Sequence, residues 1–132
     1  MAPSEHQLQK AYFDWARLHP VARRAYAVPN GGQRNIVVAA KLKAEGVRAG
    51  VLDIHIPRAC GGGNGLWIEF KAGKNKLTPA QTLEVNALVA DGFAVAVCWD
   101  TLAAIAITQR YLDGKVGPVL HWRLPPQKKP PS

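Results

Sequence analysis

The sequence predicts an α/β domain whose core is a mixed β-sheet flanked by helices. Two short apolar runs, residues 51–57 (VLDIHIP) and 66–72 (LWIEFKA), are joined by the glycine-rich stretch 59–65 and predict an antiparallel hairpin. A capped helix start follows, and then residues 93–99 (FAVAVCW) are almost entirely apolar, as is typical of a central strand covered on both faces. Strand, helix and strand in this order predict a right-handed parallel crossover, so the sheet combines parallel and antiparallel pairs.

The first predicted helix begins with a capping box, in which Ser4 is the N-cap and Gln7 occupies the third helical position. Pro20 ends this helix because proline cannot continue it. The predicted buried stripe has helical spacing and consists of Leu8, Ala11, Tyr12, Trp15 and Leu18.

A short strand and a second helix follow. Residues 24–28 (RAYAV) predict the strand, and the turn-forming stretch 29–32 (PNGG) closes it. Residues 35–45 predict the second helix, which Gly46 stops.

The third predicted helix follows the hairpin. Thr78 is its N-cap, Pro79 takes the first helical position, Gln81 takes the third, and Gly92 ends the helix. Its predicted buried stripe consists of Leu83, Ala87 and Leu88.

The chain ends with a helix, an edge strand and a tail. Asp100 caps a final helix that runs to about Leu112, and residues 119–124 predict the edge strand. We therefore expect a single domain over residues 1–124. The stretch 125–132 is rich in proline and lysine and is predicted to be a disordered tail.

Composition and charge favour a globular protein with a polyanionic partner. The 132 residues suffice for one domain with a core, and the net charge is +8. Nucleic acid is the first candidate partner, although a charge that serves only solubility would look the same. No CxxC pair, signal peptide or membrane-spanning run is apparent. We expect an intracellular, cytoplasmic protein without a structural zinc site or a membrane partner.

Strand geometry brings together residues that can carry chemistry. Side chains two apart on a strand share a face, so Trp67, Glu69 and Lys71 lie on one side of the predicted strand 66–72. If the hairpin pairs in register, Asp53 comes within reach of the same cation as Glu69. Two carboxylates, completed by water and phosphate oxygens, are typical of a magnesium site. A cross-strand salt bridge on a solvent-facing sheet explains the Glu-x-Lys pattern equally well.

An ordered series of motifs resembles the VRR-Nuc family of the PD-(D/E)xK nuclease superfamily, over about residues 4 to 107. The series consists of Gly46, GVLD at 50–53, IEFK at 68–71, LTPAQ at 77–81 and DGFAV at 91–95, preceded by EHQLQ at 5–9 and by PNG at 29–31 with Arg34. One departure is that Leu52 stands where the superfamily has proline before the aspartate. Proline contributes no catalytic atom, so the match is little weakened.

The resemblance implies a restriction-endonuclease-like fold and a nuclease that uses Mg²⁺ or Mn²⁺. It implies that Asp53 and Glu69 bind the metal, with the backbone carbonyl of Phe70, and that Lys71 assists the attacking water. Glu5 matches a first-helix acid that can join the metal site, and this is the favoured role; the alternative is compensation of the helix dipole.

Further residues are candidates for the catalytic or DNA-binding surface. Gln81 matches the family's glutamine after the catalytic strand and either lines the site or only closes the capping box. Lys74 and Lys76 precede a helix N-terminus, where phosphate binds readily, although a solvated loop would look the same. The remaining candidate nucleic-acid contacts are Asn30, Arg34, Lys41 and Arg48.

The resemblance predicts an endonuclease that hydrolyses DNA phosphodiester bonds. Stand-alone domains of this type are encoded by bacteriophages and bacteria and resemble Holliday-junction resolvases in layout, which predicts branched DNA as substrate and a homodimer. Flaps or nicks are the alternative substrates. Two other classes stay open: a DNA-binding module that has lost catalysis, and a hydrolase of smaller phosphoesters.

Overall fold

The computed structural model describes residues 2–29 and 35–122. The predicted turn at 29–32 falls mostly outside these residues, and the predicted tail at 125–132 falls wholly outside them. The elements in chain order are α1 (Glu5–Ala16), a 3₁₀ turn (Ala22–Arg24), β1 (Tyr26–Ala27), α2 (Ile36–Ala44), β2 (Ile54–Ile56), β3 (Leu66–Phe70), α3 (Pro79–Ala90), β4 (Ala94–Cys98), α4 (Thr101–Leu112) and β5 (Leu120–Trp122).

The sheet has five strands in the order β1-β2-β3-β4-β5, and it confirms the predicted mixed α/β architecture. β1, β2 and β3 pair antiparallel, whereas β3, β4 and β5 pair parallel. The predicted hairpin is therefore β2–β3, and the predicted crossover is β3–α3–β4. β5 lies at the sheet edge, as the sequence predicts.

All five predicted strands are shorter than expected, and β3 ends at Phe70, so Lys71 lies just beyond it. The differences are largest for β1 and β2. β1 is confined to Tyr26–Ala27 because a 3₁₀ turn at Ala22–Arg24 occupies the residues before it. β2 begins at Ile54, so Asp53 lies in a bend just before the strand rather than within it. Asp53 still takes part in the backbone network, because its carbonyl accepts the N–H of Val28 at 2.8 Å.

The core is divided between the two faces of the sheet. On one face, Leu66, Ile68 and Phe70 of β3 pack with buried residues of α1 and α4. On the other face, Trp67 of β3 packs with Leu52, Val95 and residues of α3. The alternation predicted for β3 is confirmed, and its Trp67 and Glu69 side lies under α3.

The caps of α1 and α3 are confirmed, but their predicted buried stripes are partly wrong. α1 ends at Ala16, before Pro20, so Leu18 lies beyond the helix and is 88% exposed. In α3, Leu83 is 72% exposed and Val85 is the buried residue. Ala11 and Ala87 are also exposed. Apolar residues surround most of α3, so several faces were compatible with burial, and packing on the sheet selects the one centred on Val85.

The remaining helices begin and end as expected. α2 starts after the N-cap Asn35 and has no buried residue, and α4 starts after the N-cap Asp100. Among the described residues, no helix is both long enough and apolar enough to cross a membrane.

Candidate active site

Asp53 and Glu69 lie side by side at one end of the β2–β3 hairpin. The register that pairs Ile54 with Ile68 brings the residue before β2 opposite Glu69. Each carboxylate accepts a backbone N–H from the other segment. Glu69 Oε1 accepts from Asp53 N at 3.2 Å, and Asp53 Oδ2 accepts from Phe70 N at 3.0 Å. These reciprocal bonds hold both acids at the same point of the sheet.

Lys71 and Gln81 complete a hydrogen-bonded group around Glu69. Lys71 Nζ lies 3.4 Å from Glu69 Oε2 and donates to Gln81 Oε1 at 2.8 Å. Gln81 Nε2 donates to Glu69 Oε2 at 3.1 Å, so a single amide joins the acid and the ammonium. Gln81 Oε1 also accepts the Thr78 N–H at 2.9 Å and closes the α3 capping box. Gln81 therefore contacts the predicted catalytic group and caps the helix at once.

Burial and like charge disfavour ionisation of the two acids. Desolvation raises the pKa of Glu69 to about 8, the charge of Asp53 adds to the rise, and Lys71 opposes it. Desolvation also raises the pKa of Asp53, against the hydrogen bond from the Phe70 N–H, and the charge of Glu5 adds to this rise. The Lys71 ion pair alone therefore does not compensate the buried acids, and a further positive charge beside them would favour their ionised forms.

Glu5 faces the same end of the sheet from α1, but its carboxylate has its own partners. Glu5 Oε2 accepts from Asn75 Nδ2 at 3.0 Å and, more weakly, from the Ala72 N–H at 3.4 Å. The Asn75 carbonyl in turn accepts the Trp99 Nε1–H at 3.2 Å. Asn75 therefore ties the start of α1 to the segment after β3. Asn75 was not predictable from the sequence, because an asparagine between two loop lysines carries no periodic or capping signal.

The donor set around Asp53 and Glu69 fits a hard divalent cation. Both are carboxylates, they are held together, and their chemistry matches the oxygen ligands that Mg²⁺ prefers. Within the described residues, no group of three or more His, Cys, Asp or Glu side chains is arranged to hold a metal ion. The fit is therefore to a two-carboxylate site, and Glu5 as a third ligand stays a prediction. The side chain of Phe70 lies in the core, so only its backbone can take the predicted ligand role.

The predicted nucleic-acid contacts fall into different surroundings. Lys74 and Lys76 are exposed in the segment between β3 and α3, and Lys41 is exposed on α2. Arg48 is exposed but forms a two-pronged ion pair with Glu84 of α3, at 2.7 and 2.8 Å. Two further predicted contacts lie outside the described residues, namely Asn30 and Arg34.

Two aromatic side chains near the acids have packing roles. His55 stacks on Trp67 with ring centroids 4.2 Å apart, and its Nδ1 is hydrogen-bonded to the Tyr26 hydroxyl at 2.8 Å. Desolvation lowers the pKa of His55, which favours the neutral ring. This pair stabilises the β1–β2–β3 side of the sheet.

Comparison with known proteins supports the nuclease-type fold. A solved structure described as a VRR_NUC domain protein superposes with a TM-score of 0.74 and 28% sequence identity, covering 86% of this chain and 92% of that one. The resemblance to the VRR-Nuc family is confirmed. The chain thus has the nuclease-type fold of that VRR_NUC domain protein, and the expected restriction-endonuclease-like arrangement of a mixed sheet with flanking helices is confirmed with it. No protein-family model and no curated protein matches the sequence.

Proposed function

We propose that this VRR-Nuc domain is a metal-dependent endonuclease that hydrolyses DNA phosphodiester bonds. The observation that carries the proposal is the pair of reciprocally bonded acids, Asp53 and Glu69, with Lys71 held beside them by Gln81. A buried charged group of this kind is costly for stability unless it is used or fully paired. Its composition and position match the catalytic roles that the family resemblance assigns.

Each side chain has a distinct role in this proposal. Asp53 and Glu69 hold Mg²⁺ or Mn²⁺, which when bound supplies positive charge to the scissile phosphate and acidifies a water. Lys71 stabilises negative charge that develops at phosphorus or orients the attacking water. Gln81 fixes the Lys71 ammonium, so the ammonium is positioned before the substrate arrives. Glu5 approaches from α1 and adds negative charge beside the metal position.

DNA is the substrate that the charge distribution favours. The chain carries a net charge of +8, and Lys74 and Lys76 are exposed in the segment that follows β3, the strand that bears Glu69. Phosphate contacts of this type position a duplex without reading its sequence.

We further infer selectivity for branched DNA, with four-way junctions as the main candidate and with a homodimer as the active form. A two-fold dimer would present two active sites to the two symmetric strands of a junction, and paired cuts would follow. Flaps and nicks offer one scissile strand and would need only one site. Cleavage of a four-way junction therefore requires a dimer in this proposal, whereas cleavage of a flap or a nick does not.

A cleavage assay tests the enzymatic proposal. Labelled four-way junctions, flaps, nicked duplexes and linear duplexes are incubated with Mg²⁺, with Mn²⁺ and with EDTA. We expect cleavage with either metal, none with EDTA, and loss of at least about a hundredfold in rate for Asp53→Asn, with DNA binding retained. Asp14→Asn is the matched control, because Asp14 is an exposed carboxylate on α1 paired with Lys10. A well-folded protein that binds DNA and cuts none of these substrates would instead be a binding module.

Mass in solution, measured together with product mapping, tests the junction proposal. Symmetric paired cuts by a species of twice the 14.3 kDa chain mass support it. Faster cleavage of flaps or nicks by a monomer contradicts it.

A further inference from the structure

A groove lies between α2 and the first turn of α3, and its volume is about 760 Å³. Apolar walls come from Ala39 and Leu42 of α2, Val47 and Ala80, and Gln81 lies at one end. The groove depends on a close approach of backbones. Gly50 has φ +90°, and a Cβ there would lie only 2.7 Å from the Ala80 carbonyl oxygen. We call this feature the α2–α3 groove.

The α2–α3 groove is continuous with the candidate active site. Gln81 lines the groove and also contacts both Glu69 and Lys71. A ligand that contacts Gln81 in the groove therefore lies one residue away from Glu69 and Lys71. The groove is not needed for metal binding, because neither acid lines it.

The helix that forms one wall of the groove displays apolar surface that folding does not use. α2 has no buried residue, and its first two residues, Ile36 and Val37, are 87% and 79% exposed. Contiguous exposed apolar surface on a protein of this size commonly marks a binding site. Ile36 and Val37 do not themselves line the groove, and the apolar side chains that α2 contributes to it are those of Ala39 and Leu42. An occupant with apolar surface would contact these two.

The charge of the groove favours a phosphate-bearing occupant. Lys43 lines it and forms no ion pair within the described residues, whereas Arg48 is held by Glu84 at the other side. Among the described residues, no acidic side chain lines the groove. Lys43 is thus a cation available to neutralise a phosphate.

We propose that the α2–α3 groove binds an unpaired stretch of the DNA strand beside the scissile phosphate. Unpaired bases expose flat apolar faces that can lie against the walls, while the backbone phosphate meets Lys43. A duplex stacks its bases inside and presents mainly phosphates, so the apolar walls would have little to contact. The groove volume also lies in the range of small-ligand pockets, about 300–1,000 Å³. This inference rests on the proposed nuclease function and narrows its substrates to DNA with a single-stranded segment at the cut, such as an open junction centre or a flap.

Two tryptophan variants on the same helix test the proposal. Ala39 lines the groove, whereas the adjacent Ala40 is exposed on α2 and does not line it. Both substitutions carry a similar helix-propensity cost at solvent-exposed positions. Binding of a fluorescent short oligothymidine and of a blunt duplex is measured by anisotropy in EDTA. We expect Ala39→Trp to weaken oligothymidine binding by about tenfold, Ala40→Trp to change it less than about twofold, and neither to alter duplex binding.

A charge variant provides an independent measurement on the same oligonucleotide. Lys43→Ala should reduce the slope of log affinity against log salt by about 0.7, the value for one single-strand phosphate contact. Lys115→Ala, an exposed lysine outside the groove, removes the same charge and should leave the slope unchanged.

Binding in EDTA separates this inference from the proposed function. Selective losses with Ala39→Trp and Lys43→Ala support the groove as a strand-binding site whether or not the protein cuts DNA. Equal effects of the two tryptophans, or equal weakening of oligonucleotide and duplex by Ala39→Trp, overturn it even where metal-dependent cleavage is intact.

Discussion

At the scale of single residues, Gln81 has two roles: it caps α3 and it contacts the candidate catalytic group. Gln7 has only the capping role, so a comparison of the two residues distinguishes these roles. Gln81 and Gln7 both close capping boxes, at the starts of α3 and α1. Gln81 alone also bonds Lys71 and Glu69. We expect Gln7→Ala to lower the free energy of unfolding by about 1 kcal/mol, the value of one net hydrogen bond. Gln81→Ala should lower it by about 2–3 kcal/mol, because it also removes hydrogen bonds to the buried Glu69 and Lys71. Only Gln81→Ala should also lower the cleavage rate, by about tenfold to a hundredfold, because Lys71 loses its fixed position.

Chemical denaturation and cleavage kinetics at saturating DNA check this prediction. The comparison is informative because the two variants share the cap but not the site. Equal cleavage rates for both variants would show that Gln81 is only a capping residue.

The raised pKa of Glu69 predicts that the stability of the folded protein falls as the pH rises. The folded protein holds a proton on Glu69 up to a pH of about 8, whereas the unfolded chain releases it near 4.5. The folded state therefore binds more protons between these values, so stability falls as the pH rises through this window and levels off above it. Glu69→Gln removes this contribution. We expect the melting temperature of Glu69→Gln minus that of the wild type, measured in EDTA, to be higher at about pH 8.5 than at about pH 5.

Thermal unfolding at several pH values measures this difference. Glu45→Gln, at the exposed C-cap of α2, is the control for loss of a solvated carboxylate. Asp53 contributes a slope of the same sign, so the Glu69→Gln curve should be flatter than the wild-type curve rather than flat. Parallel wild-type and Glu69→Gln curves would contradict the assignment.

At the scale of elements, the start of α1 is fastened to the segment after β3 through Asn75. Its side chain donates to Glu5, and its carbonyl accepts from Trp99 at the end of β4. We expect Asn75→Ala to raise the Mg²⁺ concentration needed for half-maximal cleavage several-fold, because Glu5 loses a positioning contact. Asn75→Asp should have a larger effect, since two carboxylates would then face each other.

Titration of cleavage rate with Mg²⁺ checks this prediction, and Asn86→Ala, on the exposed side of α3, is the control. A wild-type Mg²⁺ response in Asn75→Asp would show that Glu5 acts independently of the metal site.

Helices and strands that carry clear local signals, such as a capping residue or an apolar run, were predictable from the sequence. The buried face of a helix and the contacts between elements were less predictable. α3 and α4 begin at the predicted caps, and β4 is the predicted buried strand. The prediction of the buried face of α3 was wrong, because apolar residues surround this helix and only its packing on the sheet selects Val85. Likewise β1 is shorter than predicted, since nothing local reveals the preceding 3₁₀ turn.

The candidate site shows the same division. Glu69 and Lys71 share a strand face through local geometry, so their proximity was predictable. Asp53 joins them only through the β2–β3 register, which the hairpin pattern and the family resemblance supplied together. Asn75 meets Glu5 across 70 residues of sequence, and that contact exists only after α1 has docked.

At the scale of the whole molecule, the net charge of +8 should make DNA affinity strongly dependent on salt. Each lysine that neutralises one phosphate of a duplex contributes about 0.9 to the slope of log affinity against log salt, because it releases a condensed counterion. Lys74 and Lys76 are exposed in the segment that follows Glu69 and Lys71 in the chain, and we expect both to contact phosphates that flank the scissile bond. We expect Lys74→Ala and Lys76→Ala each to reduce the slope by about 1 and to weaken binding similarly for unrelated sequences.

Lys10→Ala is the matched control, since Lys10 is an exposed lysine that already pairs with Asp14 on α1. Affinities measured for Asp53→Asn from low to moderate salt give the slopes without interference from cleavage. If all three lysine variants reduce the slope equally, the charge acts through the general field of the molecule and the segment after β3 has no special place in the DNA-binding surface.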